Sequence, residues 1–509
     1  MSGSAIPSSP ADIEALIEQL RNQLQLANLK IEVLEERLRK QRIEQYGQGS
    51  EKLSDAQLEL LELEPGVSNV EVKAESQREP LPRSSEPRSR DRHPGRQSLP
   101  AHLPRVERVL HCTPEQESCQ RCGKETVVIG YDESERLDVE PAKYFVEVSK
   151  REKRACPDCE EQGVMAAPLP LQIIDKGLAS NQVVIDTVVQ KYCDHLPLYR
   201  QSAILERDTG LELSRATLDG WVLTVGELLI PVSGAMGIEL LRGGYIQADE
   251  TPVPVQLQDV REKHHQAYLW QYGRPGGTVV FDFRLSRGRD GPKEFLGKFD
   301  GILQTDGYVA YDHVGGPSLV HAACWSHVAI HFRKVLELNP RDPLATPIVE
   351  HIRDLFAIDS EARQRGLSLE ARQSLRLENA RPLLDAIRKQ IETAQARALP
   401  ASALGKACKY TLHLWEKLTR FLEHPELELS NNPAENSMRP VAVGRKNWIH
   451  VGSAQAGPKI AAILSIVESC RRLNLSVRDY LSALLPGLAE VPISRLSSLT
   501  PANWANSPQ

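Results

Sequence analysis

The chain has 509 residues, 41% hydrophobic and 26% charged, with nine cysteines and a formal net charge of −6. That balance is ordinary for a globular protein of three or four domains, and it excludes a chain that binds polyanions by total charge. The odd cysteine number, and a start (Met1 to Pro10) without the regions of an export signal, argue against a disulfide framework. No apolar run reads as a membrane span, so a cytoplasmic protein with no membrane partner is expected.

Residues 10–46 read as a coiled coil. Ile13, Ile17, Leu20, Leu24, Ala27, Ile31, Leu34 and Leu38 alternate spacings of four and three, with charged residues on the flanks. Self-association is favoured over a single docked amphipathic helix, because the apolar stripe is no wider than a and d. Residues 47–105 form a linker, rich from about Pro65 in Pro, Ser, Glu and Arg, and are expected to be disordered. Seven arginines (83, 88, 90, 92, 96, 105 and 108) face only Glu86, Asp91 and Glu107 between Leu81 and Leu110. Such an island can grip phosphates, or simply be a solvated tether.

Residues 106–165 hold two Cys-x-x-Cys knuckles, Cys119/Cys122 and Cys156/Cys159, with thirty-three residues between. In a reducing compartment this is the spacing of a tetrahedral structural zinc site, and four thiolates leave no open position for catalysis. Residues 166–235 have helical periodicity. A helix, a turn at Gly210 and a second helix capped by Ser214 suggest helix-turn-helix, or a plain helical connector.

From Gly243 the period changes to that of strands. Tyr245–Val255, Ala267–Tyr272 and Thr278–Arg284 read as three antiparallel strands, then a short helix at Pro292–Phe299. Gly301–Thr305 and Leu319–Cys324 read as strands and Val328–Leu338 as a helix. The order β-β-β-α-β-α-β-α matches a ribonuclease H-like core. Residues 240–338 would be its first part, 339–424 an all-α insertion, 425–470 its second part and 471–509 a helical tail. Asn432 and Pro433 signal a helix start, and Pro440 its end.

Three carboxylates stand at edges of these elements: Asp249, Asp306 and Glu435. Converged, they would form an oxygen-rich site for two hard divalent ions, which clamp the attacking and leaving oxygens of a phosphoryl transfer. Taken singly, each has a plainer reading: a strand end, an Asp-Gly turn, a capping box. Glu250 and Asp282 are competing ligands of lower rank. Beyond the third acid, Arg439, Arg445 and Lys446 can reach backbone phosphates and Trp448 can stack on a base, or else pack in a core. Cys324 and His327 form a Cys-x-x-His pair with no partner ligand visible in sequence, which favours a packing role.

These residues resemble the insertion-sequence-66 family of bacterial transposases, of the DDE class. The resemblance is carried by Lys191–Arg200, Ala248–Pro252, Leu303–Tyr308, Cys324–His327, Asn431–Glu435 and Arg439–Trp448, and it runs nearly end to end. It implies that Asp249, Asp306 and Glu435 bind two Mg²⁺ (or Mn²⁺) ions for DNA cleavage and strand transfer. It implies that the zinc region and helix-turn-helix read the terminal inverted repeats, that the coiled coil assembles a homo-oligomer, and that small accessory proteins of the same element take part. Asn436 stands where the family commonly has Arg, and Ser437 and Met438 replace smaller aliphatic residues. Two other readings remain: a catalytically decayed DNA-binding regulator, and a ribonuclease H-like nuclease without strand transfer.

Overall fold

The computed structural model describes residues 17–24, 27, 144–149, 152–155, 164–166, 168, 170–175, 177–257, 265–339, 341–448 and 450–506. The chain divides into two compact units, Met1–Leu58 with Arg151–Gln509, and Glu59–Lys150. Every element named below belongs to the first. Cys119, Cys122, Cys156 and Cys159, the linker and most of the heptad lie outside the described residues. Within the heptad, residues 17–24 are helical, and Ile17, Leu20 and Leu24 are exposed.

Strands β1 (Lys153–Ala155) and β2 (Val164–Ala166) pair antiparallel. Three helices follow: α1 (Asn181–Tyr192), α2 (Leu198–Thr209) and α3 (Arg215–Leu241). As the sequence indicates, Gly210 ends α2 at φ 71, a left-handed conformation that costs glycine little, and the Ser214 hydroxyl caps α3 by accepting from Thr217 N at 3.1 Å. The helices are not a module apart. Leu218, Trp221, Val222, Val225 and Leu229 of α3 are buried in the same core as the sheet, so only the start of α3 lies open.

Helix α3 also corrects the reading of apolar runs. The helix has 27 residues and holds an 18-residue window with a mean hydropathy of 1.6, long and apolar enough to cross a membrane by length and composition. Two-thirds of that window is buried within the protein, as a core helix should be. It packs along α12 (Ala456–Arg472), where a Cβ on Gly226 would come 2.7 Å from the Lys459 carbonyl oxygen. The buried Glu227 pairs there with Lys459 Nζ at 3.1 Å.

The central sheet holds β3 (Tyr245–Val255), β4 (His265–Gly273), β5 (Val279–Arg284), β6 (Ile302–Thr305) and β7 (Val320–Ala323). Its order is β5-β4-β3-β6-β7, antiparallel among the first three and parallel from β3 to β7. Helix α4 (Asp290–Leu296) links β5 to β6, and α5 (Trp325–Leu338) follows β7. Strand alternation divides the side chains of β3: Ile246 and Ala248 enter the core shared with α1, α3 and α12, while Tyr245 belongs to a second core beneath the other face.

That second core is built largely by the helical insertion, α6 (Ala345–Gln364), α7 (Leu369–Leu375), α8 (Arg381–Arg397), α9 (Ala403–His413) and α10 (Trp415–Thr419), with a π-turn at Arg376–Ala380. A buried charge cluster fastens the insertion to the segment after it. Asp359 accepts from Arg372 Nη2 at 2.7 Å and from Arg376 Nε at 2.8 Å; Arg376 also donates to the carbonyls of Phe421 and Leu427, at 3.1 and 2.8 Å.

Helix α11 (Asn432–Trp448) returns the chain to the sheet. It runs through Pro440 instead of ending there. The carbonyl that Pro440 cannot serve is that of Asn436, and Arg471 Nη2 reaches it at 3.5 Å. Helices α13 (Val477–Leu484) and α14 (Pro501–Ala505) complete the first core, α13 through Tyr480, Leu481 and Leu484 and α14 through the partly buried Trp504.

Candidate active site

Beyond Gln247, β3 loses β6 as a neighbour but keeps β4 through Val255. One edge is thereby left open, and the sequence prepares it. Pro252 and Pro254 both lie on this stretch, with no N–H to leave unpaired. The carbonyls are met from the segment around α11. Asn431 Nδ2 donates to Ala248 O at 2.9 Å, Arg445 Nη1 to Pro252 O at 2.7 Å, and Val451 N to Pro254 O at 2.9 Å. The third acidic segment is thus fastened along the strand that carries the first acid.

The parallel register pairs Gln247 with Gln304. Asp249 and Asp306 each stand two residues further on, Asp249 still within β3 and Asp306 just past the end of β6. Asp306 begins a tight turn. Its Oδ1 accepts from Tyr308 N at 2.8 Å, and Gly307 follows at φ 92, a conformation that favours glycine. Tyr410 of the insertion donates to the Asp306 carbonyl at 2.6 Å. Glu435 lies in the first turn of α11, four residues after the Asn431 that holds Ala248.

A buried amide network underlies all three. Gln247 and Gln304 each stand two residues before an aspartate, on the same face of their strands. Gln247 Nε2 donates to Gln304 Oε1 at 2.8 Å and to Ser430 O at 3.0 Å. Gln304 Nε2 donates to Glu428 O at 2.6 Å, and Tyr245 donates to Gln304 Oε1 at 2.6 Å. The strands of the first two acids therefore grip the backbone that leads to the third. The sequence analysis missed this network. The repeated Gln-x-Asp, at Gln247–Asp249 and Gln304–Asp306, is the signal that could have found it.

Both competing carboxylates are engaged elsewhere. Glu250 accepts from Arg287 Nη2 at 2.7 Å and from Tyr311 at 2.9 Å. Burial raises its proton affinity, and the charge of Asp306 raises it further, against Arg287 and Tyr311. Asp282 pairs with Arg284 Nε at 2.7 Å.

The Cys-x-x-His pair does have a partner, and it is Glu435. One ligand atom each of Cys324, His327 and Glu435 lies within 4.8 Å of the others, and His327 Nδ1 is 3.6 Å from Glu435 Oε1. Burial alone would lower the His327 imidazole. The charge and hydrogen bond of Cys324, with the charges of Glu435 and Asp306, outweigh it and raise the group to about 10. His327 thus lies in the field of both the second and third acids. Burial likewise raises the Tyr410 hydroxyl, and the charges of Asp306, Cys324 and Glu435 raise it further. Asp306 and Glu435 both act on His327 and Tyr410, and Asp249 and Asp306 both act on Tyr311; carboxylates are the donor type that fits hard divalent cations.

The basic run on α11 splits in two. Arg445 is buried, with its guanidinium on Thr251 Oγ1 at 2.8 Å and on Pro252 O. Trp448 is buried against Tyr192, their ring centroids 6.4 Å apart. Neither is presented to a nucleic acid, because both complete the contact between α11 and the core. Arg439 and Lys446, seven residues apart, share the exposed face with Asn436 and Val443.

A family profile described as the transposase IS66 family matches residues 176–459. A profile described as the zinc-finger binding domain of transposase IS66 matches 116–160, and one described as transposase C of IS166 homeodomain matches 33–108. Relatives occur in Sinorhizobium fredii, each named as an uncharacterized protein. The chain is 31% identical to y4qI over 484 residues, covering 90% of this chain and 86% of the relative. It is 33% identical to y4jD over 423 residues, covering 80% and 81%, and 29% identical to y4hP over 502 residues, covering 94% and 88%. A main profile that spans more than half of the chain, and a relative at 33% identity over four-fifths of both proteins, lead to one conclusion: the chain belongs to the IS66 transposase family.

Proposed function

We propose that this chain is a DDE transposase that binds the terminal inverted repeats of an insertion sequence and catalyses metal-dependent cleavage and strand transfer on a ribonuclease H-like core. Asp249, Asp306 and Glu435 are the proposed metal-binding triad. The observation that supports this reading is the fastening of α11 along the open edge of β3, through Asn431 and Arg445, beside a register that pairs Gln247 with Gln304, each two residues before an aspartate.

Two Mg²⁺ or Mn²⁺ ions held there would stabilise both the attacking and the leaving oxygen of an in-line displacement at phosphorus. The chain's own part is to orient. The glutamine network fixes the backbone before Glu435, the Asp306 turn aims the second carboxylate, and Arg287 with Tyr311 keeps Glu250 out of the donor set. Arg439 and Lys446 on the exposed face of α11 are proposed phosphate contacts, positioning DNA without reading its sequence. Cys119, Cys122, Cys156 and Cys159, all inside the matched zinc-finger region, are proposed to hold one structural zinc. The exposed Ile17, Leu20 and Leu24 support a coiled-coil homo-oligomer. Action in the cytoplasm, with accessory proteins of the same element as further partners, is part of the same proposal.

The test is a joining assay with the full chain, its accessory proteins and duplexes carrying the element's ends. Asp249→Asn, Asp306→Asn and Glu435→Gln should each abolish cleavage and joining while end binding persists. Full activity in any one of them would remove that residue from the triad.

A further inference from the structure

Cys324 ends the turn out of β7 and is wholly buried. Helix α5 starts at the next residue, so His327 falls in its first turn, three positions on and over the cysteine. Glu435 arrives from the first turn of α11. A thiol sulfur, an imidazole nitrogen and a carboxylate oxygen therefore meet within 4.8 Å, from two distant parts of the sequence. Asn431 N donates to Cys324 Sγ at 3.1 Å, a hydrogen bond that orients a sulfur ligand.

This donor set differs in kind from the carboxylate cluster beside it. Magnesium takes oxygen ligands and disfavours sulfur; a thiolate, an imidazole and a carboxylate together suit zinc. Ligand atoms around one tetrahedral zinc stand roughly 3.3–3.8 Å apart, from bond lengths of about 2.0–2.3 Å. Side-chain rotation at His327 and Glu435 needs to close the group by only about 1 Å. Three protein ligands leave the fourth position to water or a phosphate oxygen.

We propose that Cys324, His327 and Glu435 form a binding site for a zinc-class ion, distinct from the four-cysteine knuckles, and that zinc there withdraws Glu435 from Asp249 and Asp306. Binding releases the thiol proton to solvent, with the second imidazole proton when the ring carries one. The first half of the proposal stands on the donor set alone. The second rests on the assignment of Glu435 to the catalytic triad, and it makes zinc an inhibitor of the magnesium reaction.

The test uses the full chain, stripped of metal and titrated with Zn²⁺ against a chromogenic chelator. Wild type should take up one equivalent more than Cys324→Ser and His327→Gln, or bind it at least about tenfold more tightly. Asp249→Asn should match wild type. His327→Gln decides the matter if Cys324→Ser misfolds, and melting curves report which variants fold. Equal uptake and affinity in wild type and His327→Gln would overturn the site. In the Mg²⁺ cleavage assay, zinc should slow wild type, and His327→Gln should need about tenfold more zinc for the same fractional loss against its own zinc-free rate. Zinc bound at this site with the cleavage rate unchanged would overturn the inhibitory half. Loss of the zinc equivalent in His327→Gln, with no cleavage by any form of the protein, would leave the site standing and sink the triad instead.

Discussion

Arg445 donates from its guanidinium to the Pro252 carbonyl at 2.7 Å, across an edge of β3 that no strand among the described residues covers. A helix side chain does there what a neighbouring strand would do, and a proline stands where that strand would have needed an N–H. The bond joins the helix of the third acid to the strand of the first.

Arg445→Ala should therefore act on stability. It leaves buried acceptors at Thr251 and Pro252, and the unfolding free energy should fall by about 2–3 kcal/mol. Lys446→Ala, one residue away but exposed, should leave stability within about 0.5 kcal/mol. It should weaken DNA binding at every sequence and lower the salt slope by about 1. Chemical denaturation and salt-dependent binding titrations separate the two.

Gln304→Ala removes the amide that holds the Glu428 carbonyl and the partner of Gln247. The unmet buried groups should cost about 1–3 kcal/mol. Because the freed backbone leads to Glu435, cleavage should drop at least tenfold while affinity for end DNA stays unchanged. A parallel fall in both would make the network a general support only.

His321, on β7, accepts or donates at Thr305 Oγ1 over 2.9 Å, one residue before Asp306. Burial, then the charge of Lys417, lowers its imidazole to about 3 against the pull of Asp312. Below about pH 6.5 the unfolded chain takes up a proton that the folded chain refuses. Stability should then fall by about 1.4 kcal/mol per pH unit on acidification, down to the folded value. His321→Gln should flatten that part of the wild-type pH–stability curve; equal slopes would contradict the assignment.

Asp359 tests the hold of the insertion on the core. Burial raises its carboxyl, but Arg372 and Arg376 outweigh burial and hold it below the usual range. Its contribution is present above about pH 4 and is lost as pH falls through the lower folded value. Asp359→Asn leaves Arg376 buried with its charge unmatched and should cost about 3–5 kcal/mol. Limited proteolysis should then cut the insertion first.

Much of this was legible in local pattern. The alternation of Tyr245–Val255 matched the full length of β3, and strand order put Asp249 on β3 and Asp306 just past the end of its neighbour β6. What stayed hidden was non-local. Arg445 looks like a phosphate contact because 194 positions separate it from Thr251 in sequence. Pro440 looks like a helix stop because the arginine that reaches its orphaned carbonyl, Arg471, comes from another helix. His327 looked partnerless because its partner, Glu435, lies beyond the whole insertion. Periodicity reports which face is buried, not which distant polar group will meet it there.

The central claim is that Asp249, Asp306 and Glu435 serve one metal site. Counting Mn²⁺ bound per chain by electron paramagnetic resonance, with end DNA present, tests it most directly. Wild type should hold two ions, and Asp249→Asn, Asp306→Asn and Glu435→Gln should each hold fewer. An unchanged count and affinity in all three would contradict the account.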